Sequence, residues 1–187
     1  MTKLRIILSC AAVLLLPGIA SADIVDNGGF ETGDFTGWIL SGNPIPGTVD
    51  GSNPHSGKYA ANLFAAGSLG YMEQFLPTTP GTLYNLTYFL ASDGGTPNEF
   101  LAQLNGATLI DQTNIPSQNY TQYSFSFQAA SASTDLKFGF RDDPGSLHLD
   151  DISVTSVPEP DSVWLGVGML GLAVIAKQAR CSRKEIL

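Results

Sequence analysis

Cysteine is almost missing from this 187-residue chain: Cys10 and Cys181 sit near its two ends, and none lies between them. A disulfide, a thiolate metal site and a Cys nucleophile are therefore excluded from the middle of the chain. Basic residues are nearly as scarce there. Between Asp23 and Val157 only Lys58, Lys137 and Arg141 face fourteen Asp and Glu, a net charge of −11 for that segment. A surface of that sign does not neutralise phosphates, so nucleic-acid binding is excluded as a function. Histidine is limited to His55 and His148. Neither lies in a zinc-protease motif, and the chain has no G-x-S-x-G elbow and no phosphate loop. Helical periodicity over ten or more positions is also absent from 23–157, and every apolar run in the chain is too short to be an ordinary transmembrane helix.

The remaining positive charge crowds the two ends. Lys3 and Arg5 precede an apolar run at 6–16, then Pro17-Gly18, then the small residues Ala20-Ser21-Ala22. This is the pattern of a secretory signal peptide over residues 1–22, cleaved after Ala22 with Ala20 and Ala22 as the recognised small residues. At the other end Val157-Pro158-Glu159-Pro160 leads into an uncharged stretch at 162–176. Lys177, Arg180, Arg183 and Lys184 follow it. As a helix, 162–176 is about 22 Å long, short of the ~30 Å hydrocarbon core. The trailing cations place its end in the cytoplasm.

That order of elements resembles the PEP-CTERM sorting tail, here over 157–187. The resemblance implies an exosortase as a processing partner, beside the signal peptidase of the N-terminal segment, and makes 162–176 a short C-terminal transmembrane helix, a transient inner-membrane anchor in a Gram-negative bacterium. It further implies release to the cell surface or extracellular biofilm matrix. The basic cluster is interrupted and ends in Glu185-Ile186-Leu187, a departure from the pattern.

Residues 23–156 read as one all-β domain. Strands are expected at 38–41, 59–64, 71–76, 83–91, 100–104, 123–128, 136–141 and 147–155, separated by Gly- and Pro-rich turns. Tyr123, Phe125 and Phe127 alternate with polar residues, as do Leu136, Phe138 and Phe140, so each strand has one apolar face. About eight such strands point to a β-sandwich. In the last one the parity flips: Leu147 and Leu149 share one face and Ile152 and Val154 the other. A bulge at Asp150-Asp151 restores a single buried face. Two adjacent carboxylates at a bend need solvent or a hard cation such as calcium.

Four short motifs occur in register: Asn27-Gly28-Gly29-Phe30-Glu31 running to Gly37-Trp38, then His55-Ser56-Gly57-Lys58-Tyr59, then Pro80-Gly81-Thr82-Leu83-Tyr84, then Leu149-Asp150-Asp151-Ile152. Together they resemble the galactose-binding-like β-jelly-roll, nearest to the carbohydrate-binding modules of families 4 and 9. The resemblance implies a noncatalytic sugar-binding fold with Trp38 buried. It also implies a structural Ca2+ held by Glu31 and Asp150, with a carbonyl near Gly57 and Asp151 as the alternate ligand. A sugar site needs aromatic platforms and planar polar groups. The candidates are Tyr71, Tyr88, Tyr120 and Tyr123 with Gln74, Gln103 and Arg141. His148 is expected to point outward and His55 to serve its turn. Three functions stay open: a noncatalytic surface protein that binds polysaccharide such as the cell's exopolysaccharide, a structural or adhesive matrix protein without a sugar site, and, ranked behind both, an enzyme.

The processed protein is expected to start at Asp23 and to lose the segment after about Val157. Mass spectrometry of the surface fraction checks both ends, and an intact 177–187 tail there contradicts exosortase processing.

Overall fold

A computed structural model describes residues 21–43 and 47–158. Most of the signal segment, including Ala20, and the tail from Glu159 onward lie outside the described residues. The described chain forms ten strands and no helix. They are β1 Ile39–Gly42, β2 Gly47–Asp50, β3 Ala60–Leu63, β4 Gly70–Pro77, β5 Leu83–Ser92, β6 Asn98–Leu104, β7 Ala107–Thr113, β8 Gln118–Gln128, β9 Ser133–Asp142 and β10 Leu147–Ser156.

Two five-stranded sheets result, in the orders β1-β4-β9-β6-β7 and β2-β3-β10-β5-β8. They pack face to face as a jelly-roll sandwich, and period-two alternation supplies the core. The first sheet contributes Met72, Phe100, Phe138 and Phe140, and the second Leu86, Tyr88, Leu90, Leu147 and Leu149, all buried. Each such side chain stabilises the fold by about 1.5–3 kcal/mol relative to exposure. Phe30 and Trp38 from the opening loop close one end, stacked at 6.2 Å, and Trp38 packs on Phe138. Trp38 is buried, in line with the family resemblance.

Two strands beyond the expected eight are β2 and β7, each at the edge of its sheet. β2 reads Gly-Thr-Val-Asp, too short and too polar to show alternation. The turn before β7 is Asn105-Gly106, with φ of 49° and 76°. Two positive φ values in a two-residue loop mark the primed hairpin turn that Asn-Gly favours.

The bulge falls where the parity of β10 requires it. Asp150 pairs with Phe89 and Ser153 with Thr87, so two residues of β10 oppose the single Tyr88 of β5. Asp151 takes the strain with φ of 50°. The opening loop docks on the bulge: the Ile152 amide donates to the Gly28 carbonyl at 3.0 Å. A Cβ at Gly28 would collide with the Ile152 carbonyl oxygen, so only glycine allows this approach. Gly28→Ala is expected to cost about 1–3 kcal/mol, as overpacking does. A chemical-denaturation midpoint equal to wild type contradicts that docking.

Candidate functional site

A cleft of about 450 Å³ opens on the outer face of the second sheet. Its floor is set by strand register. His148 of β10 pairs with Asn62 of β3 and Ala91 of β5, so these three project to the same side, away from the core. The 51–57 loop forms one wall, and the segment around 117–120 forms the other. Asn53, Ser92, Ser117, Gln118 and Asn119 line it with amides and hydroxyls, and Asp93 stands at its edge. No Lys or Arg lines it.

Aromatic surface along the walls comes from His55 and Tyr120. His55 stacks on Phe89 with centroids 3.8 Å apart and planes at 18°, and Tyr120 meets His55 edge-on at 5.0 Å. The Tyr120 hydroxyl donates to the Asn53 carbonyl at 2.6 Å, tying one wall to the other. Burial, then Asp150, Asp151 and Asp50, push its phenol upward, so it stays protonated. His148 is half-buried, and desolvation lowers its pKa although Asp50 and Asp93 act to raise it. It is thus a neutral imidazole at physiological pH. Its outward direction agrees with the sequence reading, and its place in the floor was not legible there.

The His55 wall hangs on the bulge. Asp150, fully buried, accepts from the amides of His55 at 2.8 Å, Ser56 at 3.2 Å and Asp151 at 2.8 Å. Desolvation raises its pKa and those three bonds act against the rise. Asp151 binds the other side of the loop, taking His55 Nδ1 at 2.6 Å and the Ser56 hydroxyl at 2.8 Å. Glu31 Oε1 accepts from the Lys58 and Tyr59 amides at 2.9 and 3.1 Å, pressed against Gly57. Glu31, Gly57, Asp150 and Asp151 therefore do converge. Their carboxylates, however, are met by N–H donors, and among the described residues no three His, Cys, Asp or Glu side chains surround one point. This donor set closes the junction through hydrogen bonds and fits a Ca2+ ion poorly.

Of the seven side chains singled out for sugar contact, six are scattered and do not line the cleft. Tyr88 is a correction: its ring is fully buried, 5.2 Å from both Tyr123 and Phe138. Gln74 is a second. It is buried at 7 % exposure, takes the Asp26 amide at 2.8 Å and donates to the Asp26 and Gly37 carbonyls at 3.0 Å. It fastens the opening loop to the sandwich. Tyr123 turns toward the core and donates to Gln112 at 3.0 Å. Tyr71, Gln103 and Arg141 lie on the outer face of the first sheet, across the sandwich from the cleft. The Tyr71 ring covers Gly139, with Lys137 Nζ 5.6 Å from its centroid, and Arg141 is paired with Asp143. Of the sequence candidates only Tyr120 reaches the cleft.

A sequence profile described as a carbohydrate binding domain, families 4 and 9, matches residues 22–145. The chain belongs to this family. Among solved structures the carbohydrate-binding domain is similar to the TmCBM61 module in complex with beta-1,4-galactotriose. That match has a TM-score of 0.63 at 17 % identity and covers 73 % of this chain and 100 % of that one. It is also similar to the CBM22-1 xylan-binding domain of Paenibacillus barcinonensis Xyn10C (TM-score 0.57, 15 % identity, 75 % and 97 % covered). A third likeness is to the K3 cleaved adhesin domain of Lys-gingipain from Porphyromonas gingivalis (TM-score 0.54, 15 % identity, 72 % and 98 % covered). At these identities the likeness speaks for the fold. No curated protein matches the chain.

Proposed function

We propose that the domain binds neutral polysaccharide, without catalysis, in the cleft of the second sheet. One observation carries the reading: an aromatic wall of Tyr120 and His55 faces amide and hydroxyl side chains, with no cation among the lining residues. Sugar rings offer apolar C–H faces to such rings and hydroxyls to such amides. The missing Lys and Arg, and the net charge of −11 over 23–157, argue against uronate-bearing or sulfated chains. Family membership supports the sugar reading. The absence of a nucleophile motif supports the noncatalytic one, and the acidic pairs Asp142-Asp143 and Asp150-Asp151 are neighbours in sequence. A glycosidase needs carboxyl groups facing each other across the bond.

The terminal segments support export of this domain across the inner membrane, with signal peptidase cutting after Ala22 and an exosortase acting on the Val157-Pro158-Glu159-Pro160 tail. A neutral exopolysaccharide of the producing cell is then the candidate ligand. Glu31, Gly57, Asp150 and Asp151 act in this reading as the hydrogen-bonded junction that holds the His55 wall in place. The competing role, a matrix protein without a sugar site, is separated by binding.

Affinity electrophoresis of the full chain in neutral glucan, xylan or galactan gels is expected to show retardation, with none in polyuronate. Tyr120→Ala should weaken binding by about 1–3 kcal/mol. Tyr71→Ala, on the opposite face, should not. Retardation by no neutral polymer, or sensitivity to Tyr71 instead of Tyr120, contradicts the cleft as the site.

A further inference from the structure

Asp142 ends β9 with a carboxylate that nothing among the described residues answers. The residue is 2 % exposed, and both of its carboxylate oxygens are buried without a hydrogen-bond partner. Its neighbour Asp143 shows what a satisfied carboxylate looks like here: it accepts from the Gly67 amide at 2.9 Å and from Arg141 Nε at 2.8 Å. The cation beside the pair is thereby committed to Asp143. A buried carboxylate left without donors is costly, so a native site of this kind calls for a partner outside the chain or for a proton.

Asp142 is aimed at a second carboxylate. The point that a Cβ of Gly145 would occupy lies 2.7 Å from Asp142 Oδ1 and 2.6 and 2.8 Å from the two carboxylate oxygens of Asp93. From the other side, a Cβ at Gly95 would stand 2.9 Å from Asp142 Oδ1, 3.0 Å from the Pro144 carbonyl and 3.2 Å from Asp93 Oδ1. Two glycines thus flank a small space edged by both carboxylates and a carbonyl. Asp93 Oδ1 accepts one amide, from Gly95, and Oδ2 one, from Ser146, each at 2.8 Å. Each oxygen keeps a second lone pair. Asp93 is exposed and stands at the edge of the cleft, so the space has an entrance from solvent.

We propose that Asp142 and Asp93, completed by the Pro144 carbonyl and water, form a divalent-cation site of calcium type beside the cleft. The chemistry is that of a hard cation. Calcium takes six to eight oxygens at 2.3–2.6 Å in flexible geometry, and carboxylates, carbonyls and waters are its usual donors. No nitrogen or sulfur ligand is needed, and two carboxylates balance its charge. Such an ion answers the orphan Oδ1 of Asp142 that faces the space and clamps the 93–97 segment to the 142–146 turn. Without it, burial and the Asp93 and Asp143 charges push the Asp142 carboxyl up to about 6. The site is separate from the Glu31–Asp150 junction, whose carboxylates already hold amides.

The test is thermal unfolding and calorimetric titration of the full chain, first chelated and then given CaCl2. Wild type should bind calcium, and at about a hundredfold excess over the dissociation constant its midpoint should rise by several degrees. Asp142→Asn should lose that rise, while in EDTA it melts at or above wild type, because the variant removes the buried charge. Asp150→Asn should keep the rise. If Asp142→Asn does not fold, the exposed Asp93→Asn decides, and it too should lose the rise. No midpoint change in wild type, a full rise retained in Asp142→Asn or Asp93→Asn, or a rise lost only in Asp150→Asn overturns the site.

Discussion

Asp150 and Asp151 interrupt the central strand of the second sheet, and the strand must keep its apolar side chains on one side across the interruption. Leu147 and Leu149 before it and Ile152 and Val154 after it all reach the core, because the bulge adds one residue to β10. The bulge then has a buried carboxylate to satisfy. Asp150 does so by collecting amides from the 51–57 loop, and Asp151 takes the side chains of His55 and Ser56. That loop is the wall of the cleft. The position of His55 over Phe89, and of Tyr120 against His55, thus follows from a packing requirement in the core. On this view the cleft is as rigid as the bulge that anchors it.

The two aspartate pairs make the same point from opposite directions. Both sit on central strands of their sheets or at their ends, in a chain with few cations to spare. Asp150-Asp151 is answered by backbone amides and a nearby loop. In Asp142-Asp143 only the second residue is answered, and the first faces Asp93 across a gap. With Lys and Arg so scarce, carboxylates in this fold draw largely on N–H and O–H donors of nearby loops. Asp50 adds a hydroxyl donor: chiefly its bond from the Ser52 hydroxyl holds it down at about 2, with the Ser52 amide assisting.

Much of the fold was legible because alternation is a physical signal. Eight strands, the core phenylalanines and the position of the bulge could be read from which residues need burial. β2 and β7 were missed because edge strands bury little, although Asn105-Gly106 carried a usable turn signal. The site was far less legible. Tyr88, Gln74 and Tyr123 were chosen by chemical type, yet parity with Leu86 and Leu90 puts Tyr88 inside. Applied there, the same alternation rule would have removed it. The cleft residues Asn53, Ser92, Ser117 and Asn119 meet only through sheet order and loop packing. Single-sequence reading has no access to those before the topology is known.

The central claim is that sugar is bound on the outer face of the second sheet, between the 51–57 loop and the 117–120 segment. Amide chemical-shift mapping of the protein during titration with a neutral oligosaccharide tests it most directly. Shifts concentrated at Asn53, His55, Ser92 and residues 117–120, with Tyr71, Gln103 and Arg141 unmoved, are the expected result. Shifts confined to the face that carries Tyr71 and Arg141, or none with any neutral oligosaccharide, would contradict it.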